Sequence, residues 1–397
     1  MPEAIPALDT KILAAVEALK ANPKIAHGIA TALEESDKAM KEQCEICEIP
    51  APTFEEGVRA QEIARRMKLY GLTDVTIDEI GNVVGRRPGK GKGPSLALGA
   101  HMDTVFPAGT DVTVHQEGNR YTAPGIGDNC SGQRALLQVL RCFNETGIET
   151  EGDLWFVGTV GEEGNGDTRG SKWFNAHHKV DGFIAIDNTD VGRILKGAIG
   201  SHRWRVSIAG AKVAHVKVPE TPKTTFTIGT IKGGTTVNTI AAHCEVDIDM
   251  RSLDNDHLLK LEAEILKCFD EGAAEENAIW NITDPEKMLK VTKTQIGDRP
   301  AGVRPDDCPV LQTARAAQKL LSIELTNYGY SSTDANAPVS QGVPATCLSA
   351  GGKQVNSHTL KEYFDRIDIH LGPQMIFLTA AALVGAEDTT PLLPKRA

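Results

Sequence analysis

DLWFVGTVGEE, residues 153–163, is an apolar run that stops at two adjacent carboxylates, Glu162 and Glu163. A short run of this kind, closed by glycines, reads as a buried strand. Neighbours within a strand point to opposite faces. Two adjacent carboxylates can therefore serve one site only where the strand has already ended. The flanking Gly161 and Gly164 release the backbone at that point. Two more runs share the design, SLALGAHMDTV (95–105) and DGFIAIDNTD (181–190), and both end in carboxylates or a histidine.

Helical patterns separate the three runs: SGQRALLQVLRCFNE between the first two and TRGSKWFNAHH between the second and third. Strands alternating with helices predict an α/β fold with a mainly parallel sheet sandwiched by helices. Ligand sites in such sheets lie at the carboxyl ends of the strands. Residues 9–47 carry helical apolar spacing, EEGVRAQEIARRMKLYG reads as a helix ending at Gly71, and TDVTIDEIGNVVGRRPG reads as a hairpin.

The pattern changes near residue 200. RWRVSIAG, TTFTIGTIKGG and HCEVDIDMRS alternate like half-exposed antiparallel strands, and a long helical segment and another alternating stretch (288–295) follow. This predicts an inserted α+β domain over 201–302, with the α/β domain formed by 1–200 and 303–397. PVLQTARAAQKLL is then helical, ATCLSAG a short strand, and 361–386 a terminal helical region. At 397 residues the chain is too long for one ordinary core, which agrees with two domains.

The balance of 42 basic against 53 acidic residues, a net charge of −11, offers no excess to neutralise phosphates and argues against nucleic acid as a partner. No apolar run reaches membrane-spanning length. The N-terminal stretch lacks a cationic start and a small-residue cleavage site, so the expectation is a cytoplasmic protein. Of eight cysteines, only Cys44 and Cys47 form a CxxC, and no second pair follows to complete a zinc site. They read as ordinary thiols near a helix end.

Chemistry concentrates in five short stretches: GAHMDTV with His101 and Asp103, PGIGDNCSG with Asp128, GEEG, IDNTD with Asp187, and NSHTLKEYF with His358. Each alone has a bland reading. Asp128 before Asn-Cys-Ser could cap a helix, Asp187 could open a turn, and a lone histidine is more often structural. Together they place two histidines and three carboxylates at one sheet edge, where the carboxylates repel unless a cation compensates. Imidazole with carboxylate suits zinc, manganese or cobalt rather than calcium.

These motifs, with GGTTVNTIAA, DIDMRS and SSTDAN between them, stand in the order found in a known family. The chain resembles the dinuclear-metal aminopeptidase and amidohydrolase family that includes peptidase T, glutamate carboxypeptidase, succinyl-diaminopimelate desuccinylase and aminoacylase. The resemblance covers nearly the whole chain. It implies that His101 and Asp187 hold one metal, Glu163 and His358 the other, and that Asp128 bridges them. Asp103 would orient His101 through its second ring nitrogen, and Glu162 would be the general base. One or two divalent ions per subunit are implied, Zn2+ first, with Mn2+ or Co2+ the alternatives. The inserted domain would act as a lid and dimerise, giving a homodimer or a larger homo-oligomer, with Asn238 and Arg251 reaching a small-molecule substrate. A bland reading stands beside these two: Arg251 pairs with an acidic neighbour and Asn238 sits in a turn.

The lid departs from the family by being short near 210–218, and His215 is set aside as its histidine because its spacing from Gly210 is off. His115, His177, His178 and His202 are assigned no chemistry. The expected activity is hydrolysis of a C–N bond, in a peptide or an N-acyl amino acid, through a metal-activated water with Glu162 as base. The alternative is an aminohydrolase that removes an amino group from an aromatic amine. A noncatalytic binding protein would lack a ligand or Glu162, and neither is lacking.

Overall fold

The computed structural model describes residues 5–207, 216–234, 241 and 243–396. Asn238, His215 and most of the shortened lid segment lie outside these residues. The chain divides into two compact units, one of residues 1–197 with 304–397 and one of residues 198–303.

The first unit opens with three helices, α1 (Thr10–Lys20), α2 (Pro23–Glu34) and α3 (Ser36–Cys47). Asp9 caps α1 by accepting the amides of Lys11 and Ile12, and Asn22 caps α2 just before Pro23 at its first turn. Next come α4 (Gly57–Leu69), β1 (Asp74–Ile77), β2 (Val83–Arg87), β3 (Leu96–His101) and the hairpin β4 (His115–Glu117) and β5 (Arg120–Thr122). Then follow α5 (Cys130–Glu145), β6 (Leu154–Thr159), α6 (Arg169–His177), β7 (Gly182–Ile186) and β8 (Arg193–Ala198).

The second unit consists of β9 (Gly200–Ser207), β10 (Thr224–Gly233), β11 (Cys244–Ser252), α7 (Asn255–Ile279), β12 (Thr292–Arg299) and β13 (Gly302–Val303). The first unit resumes with α8 (Pro309–Leu320), β14 (Asn327–Ser331), α9 (Asn336–Ser340), β15 (Ala345–Leu348), β16 (Lys353–Val355), β17 (Tyr363–Asp365) and α10 (Leu371–Val384).

The main sheet of the first unit has the order β1-β2-β6-β3-β7-β15. The pairs β3–β6, β3–β7 and β7–β15 are parallel, and the hairpin β1–β2 adds antiparallel strands at one edge. The α/β expectation therefore holds, and the three apolar runs are β3, β6 and β7. β3, β7 and β15 are buried along their whole length, as a sheet covered on both faces requires. Their aliphatic side chains join those of α5, α8 and α10 in one core. In register, His101 stands opposite Thr159, so the ends of β3 and β6 lie side by side.

One expectation is corrected. Residues 361–386 are not helical throughout: Tyr363–Asp365 is a strand paired with β5, and the helix starts only at Leu371. Phe364 fills the core while its two neighbours are half exposed, a two-residue alternation too short to register beside the long apolar helix after it.

In the second unit the sheet order is β10-β11-β9-β12, all antiparallel. Val206, Val246, Ile248 and Met250 pack with Leu258, Leu261, Ile265 and Phe269 of α7. Asp249 and Asp247 of β11 pair across strands with Arg203 and Arg205 of β9, and Asp249 also pairs with Arg251 on its own strand. Among the described residues no helix is long and apolar enough to cross a membrane.

Candidate metal centre

The backbone after β6 is shaped before any metal is considered. Gly161 and Gly164 take φ of 62° and 49°, which glycine adopts without steric cost. The strap between them is held by Asp103 from the end of β3. Its Oδ1 accepts the Glu162 amide at 2.9 Å and its Oδ2 the Glu163 amide at 3.0 Å. One carboxylate thus fixes two consecutive peptides, and both glutamates are buried. His101 Nδ1 lies 3.1 Å from the Asp103 carbonyl oxygen and 3.5 Å from its carboxylate, so Asp103 also orients the imidazole. Burial alone would raise the Asp103 pKa, but the His101 contact and the two amides hold it below the usual value.

Four of the implied ligands meet. Asp128 stands between the two histidines, Oδ1 3.2 Å from His101 Nε2 and Oδ2 3.0 Å from His358 Nε2. Glu163 Oε1 lies 2.9 Å from the same His358 nitrogen. Ligand atoms of His101, Asp128 and Glu163 all fall within 4.8 Å of one another. Asp187, just beyond β7, is brought to the same region and feels the charge of Asp128 and Glu163. Burial first, then Asp128, pushes its carboxyl up to about 6. Burial also raises Glu163. His358, bonded to Asp128 and Glu163, is pushed up to about 11. Asp128 goes the other way: burial would raise it, but its contacts with His101 and His358 hold it below the usual value. Three carboxylates gathered with two imidazoles are a donor set whose mutual repulsion a divalent cation would offset. Asp128 Oδ1 is also buried without a hydrogen bond. The residues present therefore fit one or two divalent ions.

The bland readings of the aspartates are displaced by their neighbours. Asn129, not Asp128, caps α5 by accepting the Gly132 amide at 3.0 Å. Asn188, not Asp187, makes the turn after β7, with φ of 78° and its Oδ1 accepting the amides of Thr189 and Asp190. In each pair the asparagine takes the backbone role beside an aspartate that faces the cluster.

Several residues that hold the site are not singled out by the sequence reading. Glu362 is fully buried, and its carboxylate accepts the amides of Gly125 (2.9 Å), Gly127 (2.9 Å) and Asp128 (3.0 Å). It thereby clamps the loop that presents Asp128, at sequence separations of 234 to 237. Burial, against the pull of these amides, raises its carboxyl to about 7. Thr53 Oγ1 donates to Asp103 Oδ2 at 2.9 Å, and Glu56 Oε1 accepts the Gly161 amide at 3.0 Å. Asp334 of SSTDAN is buried, accepts the Thr159 hydroxyl, and is pushed up to about 6 by burial. Thr53 and Glu56 lie in a loop, and only the fold reveals their targets.

Of the two residues expected to reach substrate, Arg251 lies on β11 with its Nε 2.6 Å from Asp249, the acidic-neighbour pairing that was its bland reading. Asn238 is outside the described residues.

The profile of Peptidase family M20/M25/M40 matches residues 97–382, and the chain belongs to that family. It is accordingly a metal-dependent hydrolase of C–N bonds. Among curated relatives, the Uncharacterized protein YqjE of Bacillus subtilis (strain 168) is 27% identical over 364 residues, 83% of this chain and 90% of that protein. Carboxypeptidase G2 of Pseudomonas sp. (strain RS-16) is 33% identical over 139 residues, about a third of each chain (34% and 33%). Among solved structures, the aminopeptidase PepT from Bacillus cereus ATCC 10987 superposes with a TM-score of 0.69 at 20% identity, covering 87% of this chain and 97% of that one. The Bacillus subtilis YXEP protein, a dinuclear metal binding peptidase, gives 0.65 at 14% identity, covering 88% and 98%. These likenesses are of fold.

Proposed function

We propose that the protein hydrolyses a peptide or an N-acyl amino acid, with Glu162 as general base and His101, Asp128, Glu163, Asp187 and His358 as ligands of one or two divalent ions, Zn2+ first and Mn2+ or Co2+ next. The single observation that carries this reading is the fork of Asp103. It fixes the amides of Glu162 and Glu163 together, while Glu163 is committed to His358. When bound, the metal supplies Lewis acidity for a water and for the amide carbonyl. Glu162 takes the proton from the water as its oxygen attacks the carbonyl carbon, and returns it to the departing nitrogen as the C–N bond breaks. Asp103 holds the imidazole of His101 and the strap of Glu162 in register throughout.

Asn238 and Arg251 are part of this proposal as substrate-binding residues, a guanidinium being a natural partner for a substrate carboxylate. The second unit is proposed as the lid and as the contact of a homodimer or larger homo-oligomer. Support comes from β10, a sheet edge with Ile228 and Ile231 exposed. A cytoplasmic setting is part of the same proposal.

The test is a substrate screen with metal analysis. Chelator-treated protein is assayed, reloaded with Zn2+, Mn2+ or Co2+, and offered dipeptides, tripeptides, N-acyl amino acids and aryl amines. Turnover of amides only after reloading, lost in Glu162→Ala at unchanged metal content, is the expected result. Full turnover by Glu162→Ala would remove the base assignment, and ammonia release from aryl amines alone would replace amide hydrolysis by aminohydrolysis.

A further inference from the structure

The loop APTFEE, residues 51–56, is anchored at both ends to the strap that carries Glu162. On one side the Ala51 carbonyl accepts the Thr104 amide, and Thr53 Oγ1 reaches Asp103 Oδ2, the oxygen that also holds the Glu163 amide. On the other side Glu56 accepts the Gly161 amide, and both its oxygens accept from Arg169 Nη2 at 2.9 Å. Phe54 sits between these anchors. It departs from ordinary behaviour in two ways. Its φ is 78°, a left-handed backbone that a bulky residue seldom adopts. The residue is 61% exposed, with the guanidinium of Arg169 5.3 Å from the ring centroid.

Strain in the backbone together with an exposed aromatic ring serves neither the core nor the loop's own stability. Such a combination at a site is the mark of a contact made with something else. A second exposed apolar residue stands one position away in register. Thr104 bridges Pro52 in parallel, which sets Val105, itself 39% exposed, beside Thr53, the residue before Phe54. The guanidinium over the ring is itself held by Glu56. The exposed ring face is the apolar surface this loop offers a ligand.

We infer that Phe54, with Val105, forms an apolar shelf beside the Glu162 strap that selects substrates bearing an apolar or aromatic side chain next to the scissile bond. This rests on the amide-hydrolase reading above and adds the substrate class. Phe54 is a specificity residue, and its contact with the side chain strengthens binding without entering the proton transfers.

The experiment reads binding directly, by calorimetry, on the full metal-loaded chain. The probes are phenylalanine hydroxamate and aspartate hydroxamate, against wild type, Phe54→Ala and Phe54→Leu. Phe54→Ala is expected to weaken the phenylalanine probe about tenfold and to leave the aspartate probe within twofold, with Phe54→Leu restoring most of the loss. Metal content and circular dichroism should not change. Equal weakening of both probes, an unchanged phenylalanine probe, or wild-type preference for the aspartate probe overturns the inference. Amide turnover is scored separately, so its absence would sink the hydrolase reading while the binding comparison still decides the shelf.

Discussion

Replacing Glu362 tests how the Asp128 loop is held. Glu362→Ala strands three buried amides, those of Gly125, Gly127 and Asp128. An unsatisfied buried donor costs about 1–3 kcal/mol. Water can enter the space left, so the low end applies, about 3 kcal/mol in all. A second effect opposes this. The carboxyl is raised from 4.5 to about 7, chiefly by burial. A carboxyl whose folded pKa is raised contributes stability that is complete below the unfolded pKa and lost as pH rises through the folded one. Removing it therefore relieves about 3 kcal/mol above pH 7, at about 1.36 kcal/mol per pKa unit. At pH 5 the relief is under about 1 kcal/mol. Global stability should accordingly change little at pH 8 and fall by about 2–3 kcal/mol at pH 5.

The metal site should suffer at either pH, because the loop loses its clamp whichever state the carboxyl was in. Loss of such an outer partner weakens metal binding about 10–100-fold. Glu362→Gln keeps one oxygen for Gly127 and Asp128 but turns an NH2 toward the Gly125 amide, so it should fall between Ala and wild type. The assays are urea unfolding of chelated protein at pH 5 and pH 8, and zinc affinity by competition with a chromogenic chelator. Metal affinity within twofold of wild type in both variants, or destabilisation no greater at pH 5 than at pH 8, would refute the clamp.

The remaining predictions concern the ligands and the core. Glu163→Ala should lose bound metal, measured by atomic absorption after dialysis, whereas Glu162→Ala keeps it, since Glu163 contacts His358 and belongs to the cluster of ligand atoms with His101 and Asp128; retention of full metal by Glu163→Ala would reverse the roles. Gly28→Ala should destabilise by about 1–3 kcal/mol through overpacking. A methyl there would meet the Phe377 ring at 2.4 Å, between α2 and α10, and an unchanged melting temperature would contradict that close contact.

Much of the site was legible because strand ends and metal chemistry leave local marks. Glu162 and Glu163 follow an apolar run and sit between glycines, and Asp187 ends another. Histidine and carboxylate are the residue types that hold such ions. What hid was whatever acts through a backbone amide far away in sequence. Glu362 looks like one more polar residue in KEYF, and its three partners are over 230 positions distant. Thr53 and Glu56 precede a helix and resemble its start. The short strand 363–365 was overshadowed by the apolar helix after it.

The sequence alone determined the alternation of strands and helices, the places where strands end, and which carboxylates and histidines were available, since hydrophobic period and residue chemistry are written residue by residue. The tertiary structure decided which of two adjacent groups takes which job. Asn129 and Asn188 perform the cap and the turn, and so leave Asp128 and Asp187 to the cluster. Asp103 grips two peptides of the next strand's strap, and Phe54 is held exposed and strained beside it. Hydrogen bonds and charge act over distances in space, and only folding brings β3, β6, β7 and the 358–362 segment within that range.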